Sequence, residues 1–216
     1  MAQRFEPKTS LDDFPTPPWA TRALLEHVIG VSSVSSKSCL EPACGRGFMA
    51  RTLEEYFSSV TAYDIHDYGY SEKRNFLATD VSPKYDWIIT NPPFRLAEDF
   101  FLHAHGIANI GVALLVRTVF IEGVGRLNRM FSKFPPTVVA QFSERVPMVR
   151  GRVDPKASTA TGYAWVVWQK PLKTSTELKW IPQCRKKMEQ PSDYIIKSQA
   201  SELLVVAPEQ NDLFGE

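Results

Sequence analysis

Residues 38–65 read SCLEPACGRGFMARTLEEYFSSVTAYDI, and this stretch decides the architecture. SCLEPAC (38–44) is an apolar run stopped by glycines, the pattern of a buried strand. FMARTLEEYF (48–57) places its apolar residues at helical spacing. SVTAYDI (59–65) is β-branched and aromatic, a second strand. Two strands joined through a helix lie parallel, because a parallel pair needs a long crossover.

The pattern continues outward. NFLATD (75–80), YDWIITN (85–91), IGVALLV (110–116), PTVVAQF (136–142) and GYAWVVWQK (162–170) read as further strands. RLAEDFFLHAHGIA (95–108) reads as a helix, and FIEGVGRLNRMF (120–131) as a helix weakened by two glycines. Strands alternating with helices predict an α/β domain, with a mostly parallel sheet covered on both faces. There is no internal repeat. Residues 1–187 form the expected domain, and the polar, loosely patterned 188–216 a partly flexible tail.

Bulk composition narrows the class. The chain has 216 residues, 44% of them hydrophobic, which supports a full core and excludes disorder throughout. No apolar run approaches the roughly 18 residues of a membrane span. MAQRFEPKTS (1–10) has no apolar stretch behind its charges, so no signal peptide is expected. Cys39, Cys44 and Cys184 lack ligand-like spacing; a reduced, cytoplasmic setting is expected, without disulfides or zinc. His103 and His105 are two apart, which on a helix separates them, so no metal site is expected. The net charge is +1, but Arg117 to Lys187 holds fourteen Lys/Arg against four Asp/Glu, a net of +10. A basic third suits a phosphate-rich partner, although solvated surface charge has the same composition.

In open α/β sheets, ligands bind beyond the carboxyl ends of the strands, so the residues closing each strand matter most. EPACGRG (41–47) puts Gly45 and Gly47 between a strand and a helix, where a ligand can approach bare backbone. Ala50 stands where a dinucleotide fingerprint has its third glycine. Asp64 closes the second strand, where a carboxylate accepts both hydroxyls of a ribose. Asp80 closes the third; it would accept from an adenine amino group, with the Val81 amide donating to the ring.

TNPPF (90–94) is the most specific feature. An apolar strand delivers Asn91 to the sheet edge, and Pro92 and Pro93 fix the backbone and remove its donors. An aromatic amine is a poor nucleophile because its lone pair is delocalised. Two acceptors on its hydrogens, the Asn91 side-chain oxygen and the Pro92 carbonyl, would free that pair. Attack then needs alignment rather than a strong base. Phe94 offers a face for stacking on a base swung out of a duplex.

These motifs resemble the class I S-adenosylmethionine-dependent methyltransferases, in the amino-methylating branch that includes adenine-specific DNA enzymes. The resemblance covers about residues 10–170. It implies a Rossmann-like, seven-stranded sheet with helices on both faces and the last strand, GYAWVVWQK, antiparallel. It implies S-adenosyl-L-methionine as cofactor. Glu41, Pro42, Ala43, Gly45 and Gly47 would form the cofactor loop; Asp64 and Ile65 would serve the ribose, and Asp80 and Val81 the adenine. DDFPTPPWATRALLEHV (12–28) resembles the segment that precedes this loop, with Thr16 on the methionine carboxylate and also capping a helix that starts at Pro17. Asn91, Pro92, Pro93 and Phe94 would be catalytic.

Two departures leave the target open. The family motif often begins with Asp or ends with Tyr; the NPPF variant is used on adenine, but also on guanine and on protein glutamine. DNA enzymes with this motif order commonly carry a large C-terminal recognition domain, for which this chain has no room. Recognition is then expected from SERVPMVRGRVDPKASTATGYAW (143–165), where Arg145, Arg150, Arg152 and Lys156 would contact phosphates. RNA or protein glutamine as target, and a non-catalytic cofactor-binding protein, stand as alternatives. QNDLF (210–214) resembles the peptide that docks bacterial proteins on the sliding clamp, with Gln210 to Phe214 as the anchor.

Overall fold

The computed structural model describes residues 13–78, 85–197 and 203–204. Helix α1 (Pro18–Leu24) is prolonged by a wider turn over Leu25–Ile29 and precedes strand β1 (Ser38–Glu41). The glycine turn leads into α2 (Phe48–Glu54), then β2 (Ser59–Asp64) and the two-residue β3 (Glu72–Lys73). Strand β4 (Tyr85–Thr90) runs into Asn91, and α3 (Ala97–Ile107) returns to β5 (Ala108–Arg117). Strands β6 (Val138–Phe142), β7 (Tyr163–Gln169) and β8 (Glu177–Ile181) complete the sheet.

Among the described residues the sheet has eight strands, in the order β3-β2-β1-β4-β5-β7-β6-β8. β7 runs antiparallel to both β5 and β6, as expected for GYAWVVWQK, while the other pairs are parallel. The expected count of seven is therefore corrected to eight. Phe76–Ala78 in the expected strand 75–80 forms a single tight turn, and β3 takes the edge instead. β8 was not foreseen, because ELKWI mixes charge with exposed apolar residues, as edge strands do. The expected helix over 120–131 is broken into short turns around Gly123, whose φ of 106° no helix accommodates.

Both faces of the sheet are covered, which explains the near-continuous apolar runs. Trp19, Leu24 and Leu53 pack with Trp87, Ile89, Leu115 and Trp165 on one face. Phe100, Phe101 and Ala104 pack with Ile88, Val112, Leu114 and Trp168 on the other. Burying each leucine, isoleucine, valine or phenylalanine among these contributes roughly 1.5–3 kcal/mol. Trp165 Nε1 donates to the carbonyl of Ala20 at 3.0 Å, pinning α1 to the sheet.

Arg22 is a hub beneath this layer. Its guanidinium donates to both oxygens of Glu55 (2.7 and 2.8 Å), both oxygens of Asp193 (2.8 Å each) and the Met188 carbonyl (2.8 Å). Residues 188–193 are thus docked on α1, a contact that their polar composition did not announce. Farther on, Ile196–Lys197 and Leu203–Leu204 pair antiparallel.

Candidate functional site

A cleft of about 430 Å³ opens at the carboxyl ends of β1, β2 and β4. The strand order reverses there, since β1 leads to β2 on one side while β4 lies on the other. The volume lies within the ordinary range for small-molecule sites. Glu41, Pro42, Ala43 and Gly45 line it from the end of β1, Asp64 and Ile65 from β2, and Asn91 and Pro93 from β4. Thr16 closes it from the N-terminal side.

The glycine turn is held by Asp64. Its Oδ2 accepts from the Gly45 amide and its Oδ1 from the His66 amide, both at 2.9 Å. A carboxylate has about four acceptor positions, so capacity remains for hydroxyl donors. Gly47 does not line the cleft. It caps α2 with φ 77°, and a Cβ there would sit 2.5 Å from the Tyr70 ring.

Asn91 is positioned by a partner distant in sequence. Its Nδ2 donates to the Phe14 carbonyl at 3.0 Å, with Met148 Sδ at 3.9 Å. A carbonyl cannot donate, so this bond fixes the amide orientation and leaves Oδ1 facing elsewhere. That Oδ1 is buried and has no hydrogen-bond partner among the described residues; the same holds for Thr16 Oγ1 and Glu41 Oε2. All three belong to residues lining the cleft. Buried polar atoms are rarely left unpaired, and each such loss costs about 1–3 kcal/mol. Other unpaired buried groups, such as Thr21 Oγ1 and Trp87 Nε1, lie away from it.

Burial and like charge favour the protonated forms of two groups in the cleft. Burial, and then the neighbouring Asp64, hold the Glu41 carboxyl well above the usual carboxylate range. Burial, and then Glu41, push the Cys44 thiol up to about 12, so it is no thiolate nucleophile.

The sequence reading missed part of the lining. Phe14 enters through its backbone carbonyl, for which side-chain motifs carry no signal. Asn75, Phe76 and Leu77 form a wall from the turn that replaced an expected strand. Asp80 and Val81 lie outside the described residues, as do Gln210–Phe214. Thr16 is not a helix cap: Pro17 occupies that position and Pro18 starts the helix, which leaves the Thr16 hydroxyl unpaired. Pro92 and Phe94 stand beside the cleft rather than in its lining; the Phe94 ring lies 3.8 Å beneath the Arg117 guanidinium and 6.2 Å from Phe14. Pro93's carbonyl accepts from the Leu96 amide at 2.9 Å, and Pro92's is the candidate second acceptor.

The β6–β7 connection folds back over this end of the sheet. Val146 is buried in the core and Met148 reaches Asn91. The Gly151 amide donates to the Asp13 carbonyl at 2.8 Å, and Arg46 pairs with the Asp13 side chain at 3.1 Å. Arg145, Arg150, Arg152 and Lys156 are all exposed along it, with Arg152 engaged to Asp154 at 3.2 Å. His103 and His105 pack against Phe76 and Phe101 rather than against each other. No helix among the described residues is long and apolar enough to cross a membrane.

No family model matches the chain, and no curated protein matches it in sequence. Solved structures do match in fold. A candidate RNA methyltransferase from Pyrococcus horikoshii superposes with a TM-score of 0.58 at 16% identity, over 77% of this chain and 89% of that one. The modification subunit of a candidate type I restriction enzyme from Vibrio vulnificus gives 0.53 at 16% identity, over 83% of this chain. The match spans 50% of that subunit. The fold is therefore the Rossmann-like fold of the class I S-adenosylmethionine-dependent methyltransferases.

Proposed function

We propose that this protein transfers a methyl group from S-adenosylmethionine to the exocyclic amine of adenine in DNA. The observation that carries the reading is the buried, partnerless Oδ1 of Asn91, held in place through its own amide and lining the strand-end cleft.

The residues present fit the cofactor. Asp64 has acceptor capacity for the ribose, and Thr16 Oγ1 is an unpaired group suited to the methionine carboxylate. Asp64 supplies negative charge for a ligand that carries an ammonium and a sulfonium, and the unpaired Glu41 Oε2 a further polar contact. When bound, this cofactor supplies an electrophilic methyl group. The rest is the work of the chain. Asn91 Oδ1 accepts one hydrogen of the target amine and the Pro92 carbonyl the other, which draws the nitrogen lone pair out of conjugation. Phe94 supports the base, and the burial of the strand ends excludes water. No side chain needs to act as a strong base, because the proton leaves only after the nitrogen has become cationic, and then passes to solvent.

DNA is favoured over protein by the basic β6–β7 connection beside the cleft, and by the +10 charge of residues 117–187. The test is tritiated methyl transfer to unmethylated DNA, RNA and protein in parallel, followed by nucleoside and amino-acid analysis. N6-methyladenine in DNA is the expected product. Label confined to RNA or to glutamine reassigns the target, and absence of label in all three overturns the reading.

A further inference from the structure

We propose that the segment 118–127 is a wedge that enters the base stack of duplex DNA beside the extruded target base. The proposal rests on the DNA reading above and adds to it the means of extrusion.

The segment turns its aliphatic side chains outward. Val119 is 60% exposed, Ile121 44%, Val124 75% and Leu127 51%. Single exposed aliphatics are ordinary on a protein surface, but four within ten residues form a patch. The backbone beneath them is braced. The Thr118 amide donates to the Gly162 carbonyl at 3.0 Å, Glu122 to Val119 at 3.2 Å and Leu127 to Gly123 at 3.1 Å. Arg126 Nη1 donates to the carbonyls of Phe120 and Glu122, and its guanidinium lies 4.3 Å from the ring centroid of buried Phe120. With Phe120 as an inward anchor, the outward side chains are presented by a fixed loop.

Position and charge name the partner. The segment follows directly on Arg117, whose guanidinium rests on Phe94 of the catalytic motif. At the same root, Arg145 Nη1 and Thr118 Oγ1 crowd Gly162, 3.2 and 3.1 Å from where its Cβ would stand. Two arginines thus stand where the segment leaves the sheet. Residues 117–133 carry four Lys/Arg against one Glu. An apolar tip rooted among cations matches a base stack bordered by phosphates. Proteins that unstack duplexes insert Leu, Ile or Met in this way, and a base leaving the stack leaves a gap of matching chemistry.

The test uses the full chain with Ile121→Ser and Val124→Ser combined, and Val124→Ser alone as the milder variant. Both positions are exposed, so melting temperatures should stay at the wild-type value. Methyl transfer is measured on a duplex carrying a site mapped with the wild type, and on the same duplex with the target adenine opposite an abasic position. The double variant should lower kcat/KM on the paired duplex by about tenfold or more and on the unpaired target by no more than about twofold. Equal loss on both duplexes, or no loss on either, overturns the wedge while leaving the methyl-transfer reading intact. A wild type that labels no DNA at all overturns both.

Discussion

On the proposed reading, Asn91 concentrates the chemistry in one amide. Its nitrogen is tied to Phe14, and its oxygen is the only part left for substrate. Asn91→Ala should lower single-turnover methyl transfer by about 100-fold or more, as loss of a positioned polar group does. Cofactor affinity measured by calorimetry should change little, because the amide is assigned to the amine. Glu41 makes a second test. Its carboxyl is held above its ordinary value near 4.5 by burial and by Asp64. A group whose folded pKa is raised contributes stability that is fully present below the unfolded value and lost as pH rises through the folded one. Glu41→Gln removes that loss. Thermal melts should show the variant gaining on the wild type from pH 5 to pH 8.5; a difference independent of pH contradicts the assignment. Glu41 was legible in sequence as part of the loop. Its proton was not, because that depends on Asp64 across the cleft.

At the scale of elements, two connections decide whether the cleft works. The turn from β1 to α2 needs Gly47 for two reasons, its φ of 77° and the Tyr70 ring against its missing side chain. Gly47→Ala combines left-handed strain with overpacking, for a loss of roughly 2–4 kcal/mol in urea unfolding. Tyr70→Ala in the same chain should recover the overpacking part only. On the proposed reading, the β6–β7 connection meets the substrate. Arg150→Glu with Arg152→Glu should weaken DNA binding and flatten its dependence on salt, since fewer counterions are released. Binding and salt slope both unchanged would remove these arginines from the interface. Sequence marked this connection by length and charge. It could not show Val146 in the core, Met148 against Asn91 or Gly151 bonded to Asp13, since each joins the loop to a distant segment.

For the whole molecule, the joint between α1, α2 and the docked residues 188–193 matters most. Arg22 and Asp193 each have only 4% of their side chains exposed, whereas Glu55 has 38%. The Asp193 pair should therefore dominate. Asp193→Ala leaves a buried guanidinium partly unpaired and should cost about 3–5 kcal/mol by urea unfolding. Glu55→Ala, at the wetter pair, should cost much less. By itself the sequence determined the alternation of strands and helices, the existence of the strand GYAWVVWQK, and the acidic and amide residues closing the strands. Each of these is written within one element, where periodicity and turn chemistry act on near neighbours. Only the tertiary structure decided the eighth strand, which pairs with β6 across chain order. It alone showed the tether of Asn91 to a carbonyl 77 residues away, and the union of Arg22 with Asp193, 171 residues on. The physical reason is that a polar atom's state depends on what long-range packing brings beside it, and no local window of sequence contains that neighbour.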